Sequence, residues 1–295
     1  AVAAGADGED VTVVGVSLDS RRVRPGELYA ALPGARHHGA DFAAQVVAAG
    51  AVGILADADG AQRIARAQVR IPLVVVADPR AILGQVSARV YGTDRIRPRM
   101  IGITGTNGKT TTAYLVASAL DALGHTTGLI GTVETRVAGE RMPSARTTPE
   151  APDLHALLAA MVQAGVDTCV MEVSSHALAL HRVDGVVYDV AVFTNLTQDH
   201  LDFHASMQEY FLAKADLFSP ARARQGIICV DDAYGVSLAK SAQIPVQTLG
   251  RADADWLLTP DSDEPGSFTL THGDTADPLV LRSQSVISNL GTPPR

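Results

Sequence analysis

Short apolar runs rich in Val and Ile alternate along this chain with longer Ala-rich stretches of helical period, the pattern that βαβ units leave in a sequence. Over the first hundred residues it predicts strands at 11–16, 28–32, 52–56 and 73–76, and helices over 41–49, 61–67 and 80–91. The segment from Gly92 to Arg99 is polar, basic and interrupted by Pro98, which reads as a linker. Beyond it a second unit begins. Its strands at 168–173 and 187–194 carry polar residues at their C-terminal ends, the edge at which open parallel sheets bind ligands. A further strand is predicted at 227–230, and 259–266 reads as a loop rich in Pro, Asp and Gly. The fold class is therefore α/β: a small N-terminal α/β domain over residues 1–98 and a central domain with a mostly parallel sheet over 99–295.

Composition narrows the partners. The 295 residues carry 24 Lys and Arg against 32 Asp and Glu, a net charge of −8 that argues against nucleic acid as a partner. Apolar residues make up 46% of the chain, enough for sizeable cores, yet no run approaches the ~18 to 20 apolar residues of a membrane-spanning helix. No membrane partner is expected. Two cysteines, Cys169 and Cys229, each lie in an apolar run without metal-ligand spacing, which reads as buried thiols in a reducing, cytoplasmic compartment. The chain opens on Ala1 without a basic and then apolar leader, and so reads as a trimmed piece.

One segment carries recognisable chemistry. Residues 100–104 are apolar, Gly105-Thr-Asn-Gly-Lys-Thr110 follows, and a helix is predicted over 113–123 up to Gly124. Gly105 and Gly108 allow backbone amides to turn inward around an anion, the helix N-terminus adds positive potential, and Lys109 supplies a point charge for outer phosphates. Thr110 offers a hydroxyl to Mg²⁺, and Thr106, Asn107 and Thr111 complete the candidate ATP loop. It is a variant, because Ile103 stands where the strict G-x-x-x-x-G-K-[ST] pattern has glycine. The alternative is a glycine turn with a solvated lysine.

Two other positions invite two readings each. Glu172 ends an apolar strand, so its carboxylate suits Mg²⁺ at the ligand edge, or equally an ion pair or a helix cap. Lys214 has Tyr210, Phe211, Leu217 and Phe218 at helical distances of three and four, so it is centred on an apolar face. Burial there would yield a neutral amine able to react with carbon dioxide; the alternative is a stem that packs while its ammonium reaches water. Asp199, His200, Asp202 and His204 form a cluster that, taken alone, could serve a metallohydrolase.

The variant loop, with Met171-Glu-Val-Ser-Ser-His-Ala-Leu178, the stretch from Phe193 to His204 and Tyr210-Phe-Leu-Ala-Lys-Ala-Asp-Leu-Phe218, resembles the Mur ligase family. Those enzymes join amino acids to a UDP-sugar precursor of peptidoglycan, and the likeness is to the branch that adds the third residue. The resemblance implies an ATP-dependent acid–amino acid ligase acting on UDP-MurNAc-L-Ala-D-Glu through an acyl phosphate, with meso-diaminopimelate or L-lysine as the incoming amino acid. It implies ATP and Mg²⁺, with metal ligation by Thr110, Glu172, His200 and a carbamylated Lys214, and catalytic roles for Lys109 and Lys214. For the UDP-MurNAc dipeptide it implies Leu18, Ser20, Thr147, Thr148, Ser174 and Arg182, although Asp19-Ser20 also suits an ordinary turn and a threonine at 147–148 an ordinary helix N-cap. His176 and His181 are expected to be structural. A family stretch, L-x-G-x-F-N-x-x-N, matches only Leu281 and Asn289, and a C-terminal amino-acid-binding domain is expected to be absent. A P-loop ATPase or a nucleotide-binding fragment without turnover is the alternative.

Overall fold

A computed structural model describes residues 2–4, 10–199, 203–260, 267–273 and 279–282. The chain forms two compact units, one of residues up to 102 together with 110–188, the other of 103–109 and the residues from 189 onward.

The first unit opens with an antiparallel pair, β1 (Val2–Ala4) and β2 (Asp10–Thr12). Four parallel strands follow in sequence order, β3 (Gly15–Ser17), β4 (Glu27–Ala31), β5 (Gly53–Ala56) and β6 (Leu73–Val75). Their apolar runs do not alternate because both faces are covered. Tyr29, Ala31, Ile54 and Ala56 pack with Val46 of α1 (Ala43–Ala48) and Ile64 of α2 (Ala58–Arg66), while Leu28, Ala30 and Leu55 pack with Leu83 of α3 (Pro79–Tyr91).

Capping sets the helix ends, and that is where the periodicity reading errs. The helix predicted over 41–49 is split, because His38 accepts from the Ala40 N–H and donates its own N–H to Asp41, which winds a 3₁₀ turn (Gly39–Phe42) ahead of α1. α2 begins at Ala58 rather than 61, since the Asp57 carboxylate accepts from the Gly60 N–H. Asp78 caps α3, Pro79 enters its first turn and Gly92, at φ +74°, closes it.

The same unit contains strands in the order β10 (Glu140–Pro143), β9 (Glu134–Val137), β8 (Thr127–Ile130), β11 (Thr168–Glu172) and the first four residues of β7 (Arg99–Thr104). β8 and β11 are parallel, whereas β8, β9 and β10 fold back on one another. Its helices are α4 (Lys109–Ala122), α5 (Ala151–Gln163) and α6 (Ser175–Ala179).

In the second unit β12 (Val190–Phe193), β13 (Gly226–Cys229), β14 (Val246–Gly250) and β15 (Trp256–Pro260) run parallel, and β16 (Ser267–His272) and β17 (Leu279–Arg282) add antiparallel strands. α7 (Met207–Ala215) runs into a 3₁₀ turn, Asp216–Phe218, and α8 (Ala233–Ser241) follows β13. Of the predicted loop at 259–266, residues 259 and 260 belong to β15 and the rest lie outside the described residues. Among the described residues no helix is long and apolar enough to cross a membrane.

A buried histidine fastens the first unit. His155 of α5 is fully buried; Nε2 lies 3.0 Å from the Asp184 carbonyl, which only accepts, so this nitrogen bears the hydrogen. Nδ1 then accepts from the Thr93 hydroxyl at 2.6 Å. Both ring nitrogens are satisfied in the neutral form, and burial, which disfavours the charged form, lowers the pKa of the ring. The unfolded chain therefore takes up a proton near the ordinary value of 6.5 while the folded chain does not, so stability present at pH 7 should fall as pH drops below 6.5. Urea unfolding at pH 7 and pH 5 should show a shallower loss for His155→Gln than for the unaltered chain.

Candidate active site

β7 runs directly into the turn at Gly105, and α4 starts at Lys109. Gly105 has φ +149° and lies so close to the Thr194 hydroxyl that a Cβ would collide with it; Gly108 has φ +83°. Lys109 is folded back over this turn, its Nζ donating to the carbonyls of Gly105 and Thr106 at 2.9 Å each. Thr106 is buried, its hydroxyl accepting from the Thr197 N–H at 3.0 Å and lying 3.1 Å from the Tyr210 hydroxyl. Asn107 and Thr111 are exposed.

Lys214 meets the same turn. It lies on α7 at 1% exposure, and its Nζ donates to the Gly105 carbonyl at 2.8 Å and stands 4.6 Å above the centre of the Tyr210 ring. Its helical neighbours Tyr210, Phe211, Leu217 and Phe218 are all buried, so the amine does not reach water as the snorkelling alternative requires. Burial in the first place, and the Lys109 ammonium in the second, push its pKa down to about 7, against a weaker opposing pull from Asp199. A large fraction is thus neutral and nucleophilic at neutral pH.

The first unit holds a separate polar cluster at the ends of β8 and β11. Glu172, the last residue of β11, is 1% exposed; its carboxylate accepts from the hydroxyls of Thr110 and Thr132 at 2.9 and 3.1 Å and from the Thr132 N–H at 2.8 Å. The Thr147 hydroxyl is 3.0 Å from that of Thr132. Thr148 is buried, its hydroxyl donating to the Glu172 carbonyl at 2.9 Å and accepting from the Ser174 N–H at 3.1 Å. Neither threonine caps α5: the N-cap is Glu150, without a side-chain bond, and Pro152 enters the first turn. The N-cap alternative for Thr147 and Thr148 is thereby corrected. Ser174 itself caps α6, accepting from the Ala177 N–H. The hard oxygens of Thr110 and Glu172, side by side, suit a magnesium ion. Thr132 escaped the sequence reading. Its signal was a hydroxyl just after a strand, at the ligand edge.

Arg182 lies with its Nε 2.9 Å from Glu150 Oε1, and Glu150 is also met by Arg146 at 3.1 Å and Arg80 at 3.3 Å. Burial lowers the pKa of the Arg182 guanidinium, with the Glu150 carboxylate opposing that shift. None of Glu150, Arg80 and Arg146 was marked from the sequence. Glu150, Arg146 and Leu18 line a cleft of about 840 Å³ in this unit, together with Ser17, Asp19 and Arg22. Ser20 is not part of its lining; its carbonyl accepts from the Gln45 amide. Asp19 accepts from Arg21, which holds its carboxyl down at about 2, so the turn chemistry is real here. His181 pairs with Asp184 at 2.9 Å.

His200 and Asp202 lie outside the described residues. Asp199 is exposed, and His204 is buried against the rings of Phe203 and Tyr210. Among the described residues no group of three His, Cys, Asp or Glu side chains is arranged to hold a metal ion.

Two family models match this sequence: the Mur ligase middle domain over residues 103–275, and the Mur ligase family, catalytic domain over residues 12–91. The UDP-N-acetylmuramoyl-L-alanyl-D-glutamate--2,6-diaminopimelate ligase of Streptomyces coelicolor is 55% identical over 247 residues, 83% of this chain and 48% of that protein. The chain spans about half the length of the curated relatives it matches. A solved structure of a UDP-N-acetylmuramoyl-L-alanyl-D-glutamate--2,6-diaminopimelate ligase aligns with a TM-score of 0.75 at 26% identity, covering 92% of this chain and 55% of the other. The MurF ligase of Thermotoga maritima, solved with ADP, shares the fold with a TM-score of 0.57 at 18% identity over 89% of this chain and 56% of that one.

The Thr148 hydroxyl joins two main-chain groups, the Glu172 carbonyl and the Ser174 N–H. Thr148→Val keeps the shape and leaves the Ser174 N–H and Glu172 carbonyl without that partner, so chemical denaturation should show a loss of about 1–3 kcal/mol.

Proposed function

Because this chain belongs to the Mur ligase family, we propose that it carries out, as part of a longer enzyme, the ATP-dependent addition of the third amino acid to UDP-MurNAc-L-Ala-D-Glu in peptidoglycan precursor synthesis. The observation that carries this reading is the buried Lys214, whose amine is bonded to the turn of a phosphate loop. A plain nucleotide-hydrolysing loop has no need of a second, buried lysine. The incoming amine is 2,6-diaminopimelate, the amino acid in the name of the Streptomyces relative. We further propose a domain boundary at 98/99, supported by the closure of the four-stranded sheet before that point, and a cytoplasmic location, consistent with the free thiols of Cys169 and Cys229.

The substrate's terminal carboxylate oxygen attacks the γ-phosphorus of ATP, ADP leaves, and an acyl phosphate results. The amine of the amino acid then adds to the acyl carbon, phosphate departs and the nitrogen loses a proton. Gly105, Thr106, Asn107, Gly108, Lys109, Thr110 and Thr111 hold the nucleotide in this reading. Lys109 exchanges its two carbonyl partners for phosphate oxygens, a charge-assisted contact that strengthens as charge develops on the transferred group. Thr110 and Glu172 in the first unit are the residues this reading assigns to magnesium, as it assigns His200 and the carbamate of Lys214 in the second, and the metal would supply neutralisation of phosphate charge. The carbamate forms when the neutral Lys214 amine attacks carbon dioxide and releases one N–H proton to water. Leu18, Ser20, Thr147, Thr148, Ser174 and Arg182 hold the UDP-MurNAc dipeptide, Arg182 offering a planar fork to an anionic group.

Lys109→Ala should weaken Mg·ATP binding by roughly 10- to 100-fold in isothermal titration, the value of one hydrogen bond to a charged group, without changing the affinity for UDP-MurNAc-L-Ala-D-Glu. ATP consumption should require that dipeptide substrate. Hydrolysis indifferent to it would mark a simple P-loop ATPase. Lys214 should give a ¹³C carbamate resonance in bicarbonate-labelled protein that Lys214→Ala removes, and its absence at saturating bicarbonate and magnesium would refute the carbamate.

A further inference from the structure

β12 ends at Phe193, and the residues that follow it lie along the first half of the phosphate loop. The Thr194 N–H donates to the Thr104 carbonyl at 3.0 Å, and the Thr106 N–H donates to the Asn195 carbonyl at 2.9 Å. The side chain of Asn195 then grips a single residue from both sides. Its Oδ1 accepts from the Asn107 N–H at 3.0 Å, and its Nδ2 donates to the Asn107 carbonyl at 3.1 Å. The Thr194 hydroxyl donates to that same carbonyl at 2.7 Å. The gripping segment is itself anchored, since the Leu196 N–H donates to Asp232, whose other carboxylate oxygen caps α8. Thr194 sits close enough to exclude any side chain at position 105. Every one of these contacts lies within the second compact unit.

A carboxamide that accepts from the N–H and donates to the C=O of one residue supplies both bonds that a neighbouring strand would give. The consequence reaches the next peptide. The Asn107 carbonyl and the Gly108 N–H belong to one planar trans unit, in which the two groups point in opposite directions. Holding that carbonyl against Thr194 and Asn195 turns the Gly108 N–H away from the clasp. At the same time the Asn107 N–H is committed to Asn195.

We infer that Asn195 is a positioning residue of the nucleotide loop: it fixes the 107–108 peptide so that the Gly108 N–H is presented to the nucleotide phosphates, and it withdraws the Asn107 N–H from them. This rests on the ATP-binding reading above and adds to it a residue that touches no reacting atom. Gly108 stands at φ +83°, and a glycine has no Cβ to choose between the two orientations of that peptide, which is why the choice needs an outside partner.

Amide hydrogen exchange followed by NMR on the unaltered 295-residue chain tests this without a variant. The Asn107 amide should be protected in the free chain and unchanged by Mg·ATP, whereas the Gly108 amide should gain protection when Mg·ATP is added. Asn195→Ala should speed exchange at Asn107 and weaken Mg·ATP binding by about 10-fold or more, as the loss of one phosphate-directed N–H would. Gain of protection at Asn107 equal to that at Gly108, or equal Mg·ATP affinity in Asn195→Ala and the parent, would overturn the inference, even if the variant melted at a lower temperature. Failure of the parent chain to bind Mg·ATP would instead overturn the ligase reading, and fast exchange of Asn107 in the free chain would then refute the clasp by itself.

Discussion

The carbonyl of Gly105 is the fixed point of the loop from Gly105 to Thr111, because the side chains of two lysines converge on it, Lys109 at 2.9 Å and Lys214 at 2.8 Å. Two ammonium groups cannot share one small acceptor cheaply when one of them is buried. Burial first, and the Lys109 ammonium second, push the pKa of Lys214 down to about 7. The apolar wall made by Tyr210, Phe211, Leu217 and Phe218 removes water, and the backbone conformation at Gly105 brings the carbonyl within reach. A structural demand for a glycine and a buried amine with a lowered pKa thus meet in one peptide group.

Short polar side chains perform a comparable task in the first unit. β8 and β11 are parallel neighbours, so Thr132, just beyond one, and Glu172, at the end of the other, come to the same edge. A carboxylate at 1% exposure is tolerable there because hydroxyls and a backbone amide surround it. Such neutral donors satisfy the charge without cancelling it. That leaves the group chemically available to a cation, unlike Glu150, which three guanidiniums approach.

Ordinary structural roles and proposed binding roles fall on the same atoms. Ser174 caps α6 and is also assigned to the dipeptide substrate; Asp19 forms a turn with Arg21 beside Leu18, which lines the cleft. Helix caps and turns present main-chain and short side-chain donors at fixed positions, so little conformational freedom remains to be lost when a ligand arrives. The two readings that compete on the sequence are compatible in the fold.

The sequence by itself was sufficient for whatever depends on neighbours within a turn or two. The α/β alternation, the loop from Gly105 to Thr111 and the apolar face around Lys214 were all legible, since periodicity and helical spacing are local properties. Local rules failed where a distant partner outbid them. A helix N-cap suited Thr148, yet the tertiary structure gave its hydroxyl to Glu172 and Ser174, and it drew Glu150 to Arg80, seventy positions away. Thr132 beside Glu172 and Asn195 across Asn107 have the same origin. Which polar groups share a buried edge is decided by strand order and register, and a buried donor or acceptor must then take the partner that the fold provides, because going without one costs more than any local preference returns.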